Sequence, residues 1–303
     1  MSARAGSAAA ASRQPPWRHA DGSARPRSWA VAGLVTLVLA AALAACTSSD
    51  EGSGRAAPPA PTVSFNPAPS SRLFPPTGGP AGKTPLVVLV PGGGWTSADP
   101  TGLTGLATWL AQRGAAVVTV TYRTSSDGAY FPVPAQDVAC DVADAVARTR
   151  RAAVDVGEVT IVGHSAGAQL AAVVALTPGA FGTGCADPAV VPDRLVGLAG
   201  PYDVAKLGGM TSALFGPGRP DATRLAAANP VALAADRPQL PVLLIHGTAD
   251  TTVPTSSTEQ LAAALTAGGH QVVTEYPRGV GHQSVYSAGV AGPLIADWLG
   301  LPR

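Results

Sequence analysis

From about residue 85 to the C-terminus, short apolar runs alternate with longer segments of mixed polarity. The runs near 85–90, 116–121, 159–163, 194–199, 240–246 and 271–276 read as strands. Several are apolar at consecutive positions, as in Leu86-Val87-Val88-Leu89-Val90, a pattern of strands covered on both faces. Segments near 101–113, 135–151, 166–176, 223–235, 256–267 and 285–299 read as helices. Strict alternation of the two predicts an α/β fold: a mostly parallel central sheet with helices on both faces. Short apolar stretches at Thr62 to Phe65 and Ser71 to Phe74 are candidates for leading antiparallel strands. The longest stretch between strands, Tyr202 to Pro238, predicts a small cap. Tyr202, Leu207, Met210 and Phe215 are its candidates to line a pocket.

The N-terminal quarter follows another pattern. Met1 to Ser28 is polar and carries Arg4, Arg13, Arg18, Arg25 and Arg27 with one acid, Asp21. Trp29 to Ala45 is uncharged and mostly apolar, ending in Leu43-Ala44-Ala45-Cys46. A basic segment, an apolar run and small residues at its end describe an export signal. The cysteine after Leu-Ala-Ala resembles a bacterial lipobox, which predicts cleavage before Cys46 and lipidation of its thiol. An uncleaved membrane anchor is the alternative, although the run is short for a span. Thr47 to Ser70 is dominated by Ser, Gly, Ala and Pro and reads as a flexible tether. The expected organisation is therefore a signal over 1–45, a tether over 46–70 and a catalytic domain over 71–303. The protein is expected outside the cytoplasm, anchored to the outer face of the cytoplasmic membrane.

Charge changes this picture little. A formal net charge of +1 over 303 residues argues against nucleic acid as a partner. There are three cysteines. With Cys46 lipidated, Cys140 and Cys185 form an even pair in an oxidising compartment and are candidates for a disulfide. Two unpaired buried thiols are the alternative. No metal-ligand spacing occurs, and no cofactor is expected.

Candidate chemistry centres on Gly163-His164-Ser165-Ala166-Gly167, between an apolar run and a small-residue helix. A G-x-S-x-G between strand and helix is the pattern of a nucleophile elbow, a tight turn that exposes the serine hydroxyl. Upstream, the first strand runs into Pro91-Gly92-Gly93-Gly94-Trp95, where glycines free the backbone to present N–H groups to an oxyanion. Downstream, Asp250 follows the strand ending at His246, and His282 follows the last strand. The chain order Ser, Asp, His is that of α/β-hydrolases. Asp203 is the second candidate for the acid, with helix N-capping as its plain alternative. Among the other histidines, His164 is expected to point away from Ser165. His246 is expected to satisfy backbone groups near Asp250, His270 to sit in an exposed turn, and His19 to belong to the export region.

These residues resemble the α/β-hydrolase esterases of the hormone-sensitive-lipase-like and bacterial feruloyl-esterase-like groups, and the related kynurenine formamidases. The resemblance rests on Pro91 to Trp95, Gly163 to Gly167, His246 to Pro254 and Gly279 to His282. Lesser echoes are Val120 to Arg123, Phe131 to Val138 and Ala228 to Val231. It implies Ser165 as nucleophile, Asp250 as acid and His282 as base, with Gly93, Gly94 and Ala166 as oxyanion hole. One position departs: Pro91 stands where those groups usually have histidine. The expected activity is a serine carboxylesterase acting on small or soluble esters through an acyl-enzyme. An amidase, formamidase or acyltransferase would use the same triad, and a silent envelope-binding homologue would have lost it.

Overall fold

A computed structural model describes residues 71–77 and 82–302. The proposed signal, Cys46, the tether and the stretch at Thr62 to Phe65 lie outside the described residues. No helix among the described residues is long and apolar enough to cross a membrane.

Among the described residues, seven strands form one sheet: β1 (Arg72–Phe74), β2 (Thr84–Val90), β3 (Ala116–Thr119), β4 (Val156–His164), β5 (Arg194–Leu198), β6 (Val242–Ile245) and β7 (Val272–Glu275). Their spatial order is β1-β3-β2-β4-β5-β6-β7. Only β1 is antiparallel, pairing Arg72 with Thr119 and Phe74 with Val117. The order reverses direction around β2, so the first connections step one way across the sheet and the later ones the other.

The longer helices are α1 (Thr104–Ala111), α2 (Val133–Arg151), α3 (Ala166–Leu176), α6 (Thr255–Ala267) and α7 (Ala291–Leu299). Two short ones, α4 (Thr211–Phe215) and α5 (Ala222–Ala227), lie in the long crossover between β5 and β6. Strand β2 shows why the sheet is covered on both sides. Its Leu86, Val88 and Val90 join a core with Val138 and Val142 of α2 and Leu170 of α3. Its Val87 and Leu89 join another with Leu106 and Leu110 of α1 and Ile295 of α7. The period of two in strand geometry thus splits a continuous apolar run between two cores.

Two helices differ from expectation, each for a local reason. The pattern over 223–235 yields only α5, followed by turns. Pro230 cannot donate a helical hydrogen bond, and the Asn229 side chain accepts from the Val231 N–H instead. The pattern over 285–299 breaks into a 3₁₀ turn at Ser284–Tyr286 and α7. Starting α7 at Ala291 places Pro293 in its first turn, where the missing N–H has no helical role.

Cys140 of α2 and Cys185 of the loop after α3 form a disulfide, with Cα atoms 5.1 Å apart and a separation of 45 residues. In the chain-entropy account, closing a loop of that length stabilises the fold by about 4 kcal/mol.

Candidate active site

Strand β4 ends directly in the elbow. Ser165 has φ 52° and ψ −122°, a left-handed conformation rare for a residue with a Cβ. The turn is tight enough that only glycine fits on either side. A Cβ on Gly163 would lie 2.3 Å from the Gly167 carbonyl oxygen, and one on Gly167 would lie 2.3 Å from that of Pro91. Helix α3 starts at Ala166, which turns its N-terminal N–H groups towards the serine.

Ser165 Oγ lies 2.9 Å from His282 Nε2, and His282 Nδ1 lies 2.7 Å from Asp250 Oδ2. A carboxylate only accepts, so Nδ1 carries the proton and Nε2 is left to accept from the serine hydroxyl. Asp250 Oδ1 accepts from the N–H groups of Thr252 and Val253 at 2.8 and 2.9 Å. Burial pushes the Asp250 carboxyl up. The hydrogen bonds from His282, Val253 and Thr252 outweigh that and hold it below its ordinary value. Asp203 takes no part in this contact. Its carboxylate pairs with Lys206 at 2.8 Å and accepts from Asn229 at 3.1 Å.

Two further histidines brace the group. His164 Nε2 donates to the His282 backbone carbonyl at 3.0 Å, and its ring packs against those of His282 and Tyr286. Burial, followed by the neighbouring His282, lowers its pKa to about 4, so the ring is neutral at ordinary pH. As expected, it does not meet the Ser165 hydroxyl; it supports His282 from behind. His246, as expected, satisfies the Asp250 loop. It is fully buried, with Nε2 donating to the Val253 carbonyl at 2.9 Å and Nδ1 meeting the Thr258 hydroxyl at 2.7 Å. Burial keeps it neutral by lowering its pKa. His270 was expected in an exposed turn. It is buried, bonded to the carbonyls of Leu240 and Asp236 at 3.1 Å each.

The glycine loop after β2 is held by its carbonyls. Pro91 C=O accepts from the Tyr122 hydroxyl at 3.1 Å. Gly93 C=O accepts from the N–H groups of Thr96 and Ser97, and Trp95 C=O from that of Ser125. Thr96 C=O accepts from the hydroxyls of Thr124 and Ser126. With these carbonyls turned inward, the N–H groups of Gly93, Gly94 and Ala166 donate no hydrogen bond within the chain among the described residues. Gly93 has φ 136°, and a Cβ there would lie 2.2 Å from the Ser97 carbonyl oxygen. The buried Trp95 indole donates to Gln169 of α3 at 3.0 Å, and Gln169 donates on to the Ala228 carbonyl at 2.7 Å. Arg123, next to Tyr122, makes a two-pronged ion pair with the buried Asp137 of α2.

The sequence touches these supports only through unassigned echoes, at Val120 to Arg123, at Phe131 to Val138, which holds Asp137, and at Ala228 to Val231. The supporting residues carry no spacing signal of their own. Pro91, which lacks an N–H, costs the loop nothing here because its carbonyl is the group in use.

A cavity of about 320 Å³ opens over Ser165 between the glycine loop, His282, Tyr286 and Met210. Of the four residues of the long crossover expected to line a pocket, only Met210 reaches this one. Tyr202 is fully buried against Gly197 and Gly200, and Phe215 packs edge-on against Phe131. Leu207 lines a neighbouring chamber. No group of three or more His, Cys, Asp or Glu that could hold a metal occurs among the described residues.

The sequence profile of the BD-FAE family matches residues 74–265. The chain belongs to that family of esterase-like α/β-hydrolases. Membership places it among the carboxylic ester hydrolases. None of the curated proteins matches it by sequence. Solved structures share its fold. A truncated carbohydrate esterase from gut microbiota superposes with a TM-score of 0.65 at 18% identity, over 76% of this chain and 90% of that one. An acetyl ester-xyloside bifunctional hydrolase from Caldicellulosiruptor lactoaceticus gives 0.63 at 19%, over 80% and 90%. A thermophilic esterase, Est2, from the planctomycete Thermogutta terrifontis gives 0.61 at 20%, over 77% and 91%.

Proposed function

We propose that this BD-FAE family member is a serine carboxylesterase that cleaves small or soluble esters through an acyl-enzyme. The observation that carries the reading is the unbroken hydrogen-bond chain from Ser165 through His282 to Asp250, opening on a cavity. Ser165 Oγ attacks the ester carbonyl while His282 Nε2 takes its proton. Asp250 holds the imidazole in the required tautomer and stabilises its charged form. The carbonyl oxygen, negative in the tetrahedral intermediate, is met by the N–H groups of Gly93, Gly94 and Ala166. His282 then returns the proton to the departing alcohol. Water enters, loses a proton to His282 and releases the acid, which regenerates the serine.

Hydrolysis of p-nitrophenyl esters from acetate to dodecanoate by the full chain and by Ser165→Ala tests this. Turnover and fluorophosphonate labelling that vanish in the variant are expected. A folded wild type showing neither would sink the reading and favour a silent binding protein.

The second part of the proposal concerns place. Cys46 carries the lipid, and the domain stands off the outer face of the membrane on the segment that follows. The Leu-Ala-Ala-Cys ending supports this. Two or more acyl chains at one cysteine suffice for stable anchoring, where a single chain is marginal. Fractionation of cells producing the full chain or Cys46→Ala checks it. The expected result is membrane-bound wild type and a variant released from the membrane; a variant that stays bound would refute lipid anchoring.

A further inference from the structure

The N–H groups assigned to the oxyanion come from two separate elements. Gly93 and Gly94 belong to the loop after β2, whereas Ala166 begins α3. To meet one oxygen atom, loop and helix must be held in fixed register. Close packing sets the near end of the loop: Gly167 lies against the Pro91 carbonyl, with no room for a Cβ. The far end is Trp95. Its φ is 59°, a left-handed conformation that strains a residue with so bulky a side chain. A backbone kept there needs a contact that opposes its relaxation.

That contact is the indole hydrogen bond to Gln169. Among the described residues, no other hydrogen bond joins the glycine loop to α3. Gln169 is fully buried, and both ends of its amide are committed. Oε1 accepts from Trp95 at 3.0 Å, and Nε2 donates to the Ala228 carbonyl at 2.7 Å. An indole N–H can only donate and a carbonyl can only accept, so the amide has one possible orientation. The Gln169 backbone N–H donates to the Ser165 carbonyl at 3.2 Å. One residue thus grips the strained end of the glycine loop with its side chain and the nucleophile turn with its backbone. Gln169 itself does not line the cavity.

We propose that Gln169 is a positioning residue that holds the two halves of the oxyanion donor set in register by pinning Trp95 in its left-handed conformation. Its catalytic meaning rests on the serine-esterase reading, and the test separates the two. Full-length wild type, Gln169→Leu and Gln169→Glu are compared on p-nitrophenyl butyrate. In Gln169→Leu the indole loses its acceptor, and kcat falls about 10²-fold, the effect of a misplacement of about 1 Å. KM and the pH–rate profile are retained, because ground-state binding and the His282 proton are untouched. The Ki of a trifluoromethyl ketone, whose serine adduct puts an oxyanion between the same donors, rises in the same proportion. Mere loss of folded protein would leave that Ki unchanged.

Gln169→Glu keeps the shape and adds a titration. The carboxyl serves both partners only while protonated, since an ionised one has no proton to give the Ala228 carbonyl. Activity then falls as pH rises through the pKa of that acid, a limb the wild type lacks. Wild-type kcat in a folded Gln169→Leu, or a Gln169→Glu profile without the new limb, overturns the proposal. The geometry is read separately, with no turnover required, from the backbone amide NMR signals of Gly93 and Gly94. Displaced signals in Gln169→Leu are expected. Unmoved signals overturn the pin even if esters are hydrolysed. Displaced signals in a protein whose wild type hydrolyses nothing support the pin and count against the esterase reading.

Discussion

The two flanks of Ser165 are built in opposite ways. On one, side chains do the holding: Asp250, His282, His164 and His246 contact one another or the adjoining backbone through ring nitrogens and a carboxylate. On the other, main-chain carbonyls of Pro91, Gly93, Trp95 and Thr96 are gripped from behind, and the groups assigned work in the proposed mechanism are N–H. The first flank must control where a proton sits, which only titratable side chains can do. The second must present fixed dipoles, which needs geometry and no particular side chain. Mutations on the two flanks should therefore fail differently.

The largest effect is expected from Asp250→Asn. A neutral amide no longer enforces the Nδ1-protonated tautomer of His282, and kcat should fall about 10⁴-fold with the fold intact. Stopped assays alongside circular dichroism check this; near-normal turnover would remove Asp250 from the proposed triad.

Next is Gly93→Ala. The added methyl meets the Ser97 carbonyl and the φ of 136° resists any Cβ. Loss of one oxyanion donor corresponds to about 10²–10³-fold in kcat. The shape of the pH–rate profile should be retained, because no titrating group is touched. A shifted profile would break the distinction between the flanks.

The third prediction concerns stability on the acid-base flank. An unfolded histidine protonates near pH 6.5, whereas buried His164 stays neutral down to about pH 4. Between those values the unfolded chain binds the extra proton. Stability is thus full above about pH 6.5 and declines as pH falls towards 4, by about 3 kcal/mol at most. His246, lowered by burial, acts in the same direction. Asp250, also lowered, adds a loss only below the ordinary carboxylate range. Urea midpoints from pH 8 to 4 should show this slope, and His164→Gln should flatten it. An unchanged slope in that variant would assign the acid sensitivity elsewhere.

The smallest effect is expected from Tyr122→Phe, which removes one hydrogen bond to the Pro91 carbonyl. A neutral bond of this kind is worth about 1 kcal/mol, so kcat should fall less than about tenfold with an unaltered pH profile. A change in the pH profile would mean that the glycine loop also governs the proton.

This division also explains what could be read from the chain alone. Ser165, Asp250 and His282 stand out because each sits just past a strand, and chemistry restricts which residue types can serve. Strand positions were readable for a similar reason, since burial on both faces leaves consecutive apolar residues. The bracing contacts were not. Gln169 looks like any polar residue near a helix start, and Asp137 like any acid on an amphipathic helix. Their meaning depends on Trp95 and Arg123 arriving from elsewhere in the fold. His270 was misjudged because a Gly-Gly pair suggests an exposed turn. Its burial comes from the backbone between Asp236 and Leu240 folding over it. In the long crossover the helix near 223 was readable in part, whereas the five-residue helix at Thr211–Phe215 and the 3₁₀ turns before it leave too few turns for periodicity to show.

The Pro91 carbonyl has a further consequence for how such proteins are recognised. A search pattern that demands histidine at the head of the glycine loop discards this chain. A pattern that couples Gly-Gly-Gly-Trp to a tyrosine just beyond the next strand retains it, because it asks for the anchor at the far end of the bond.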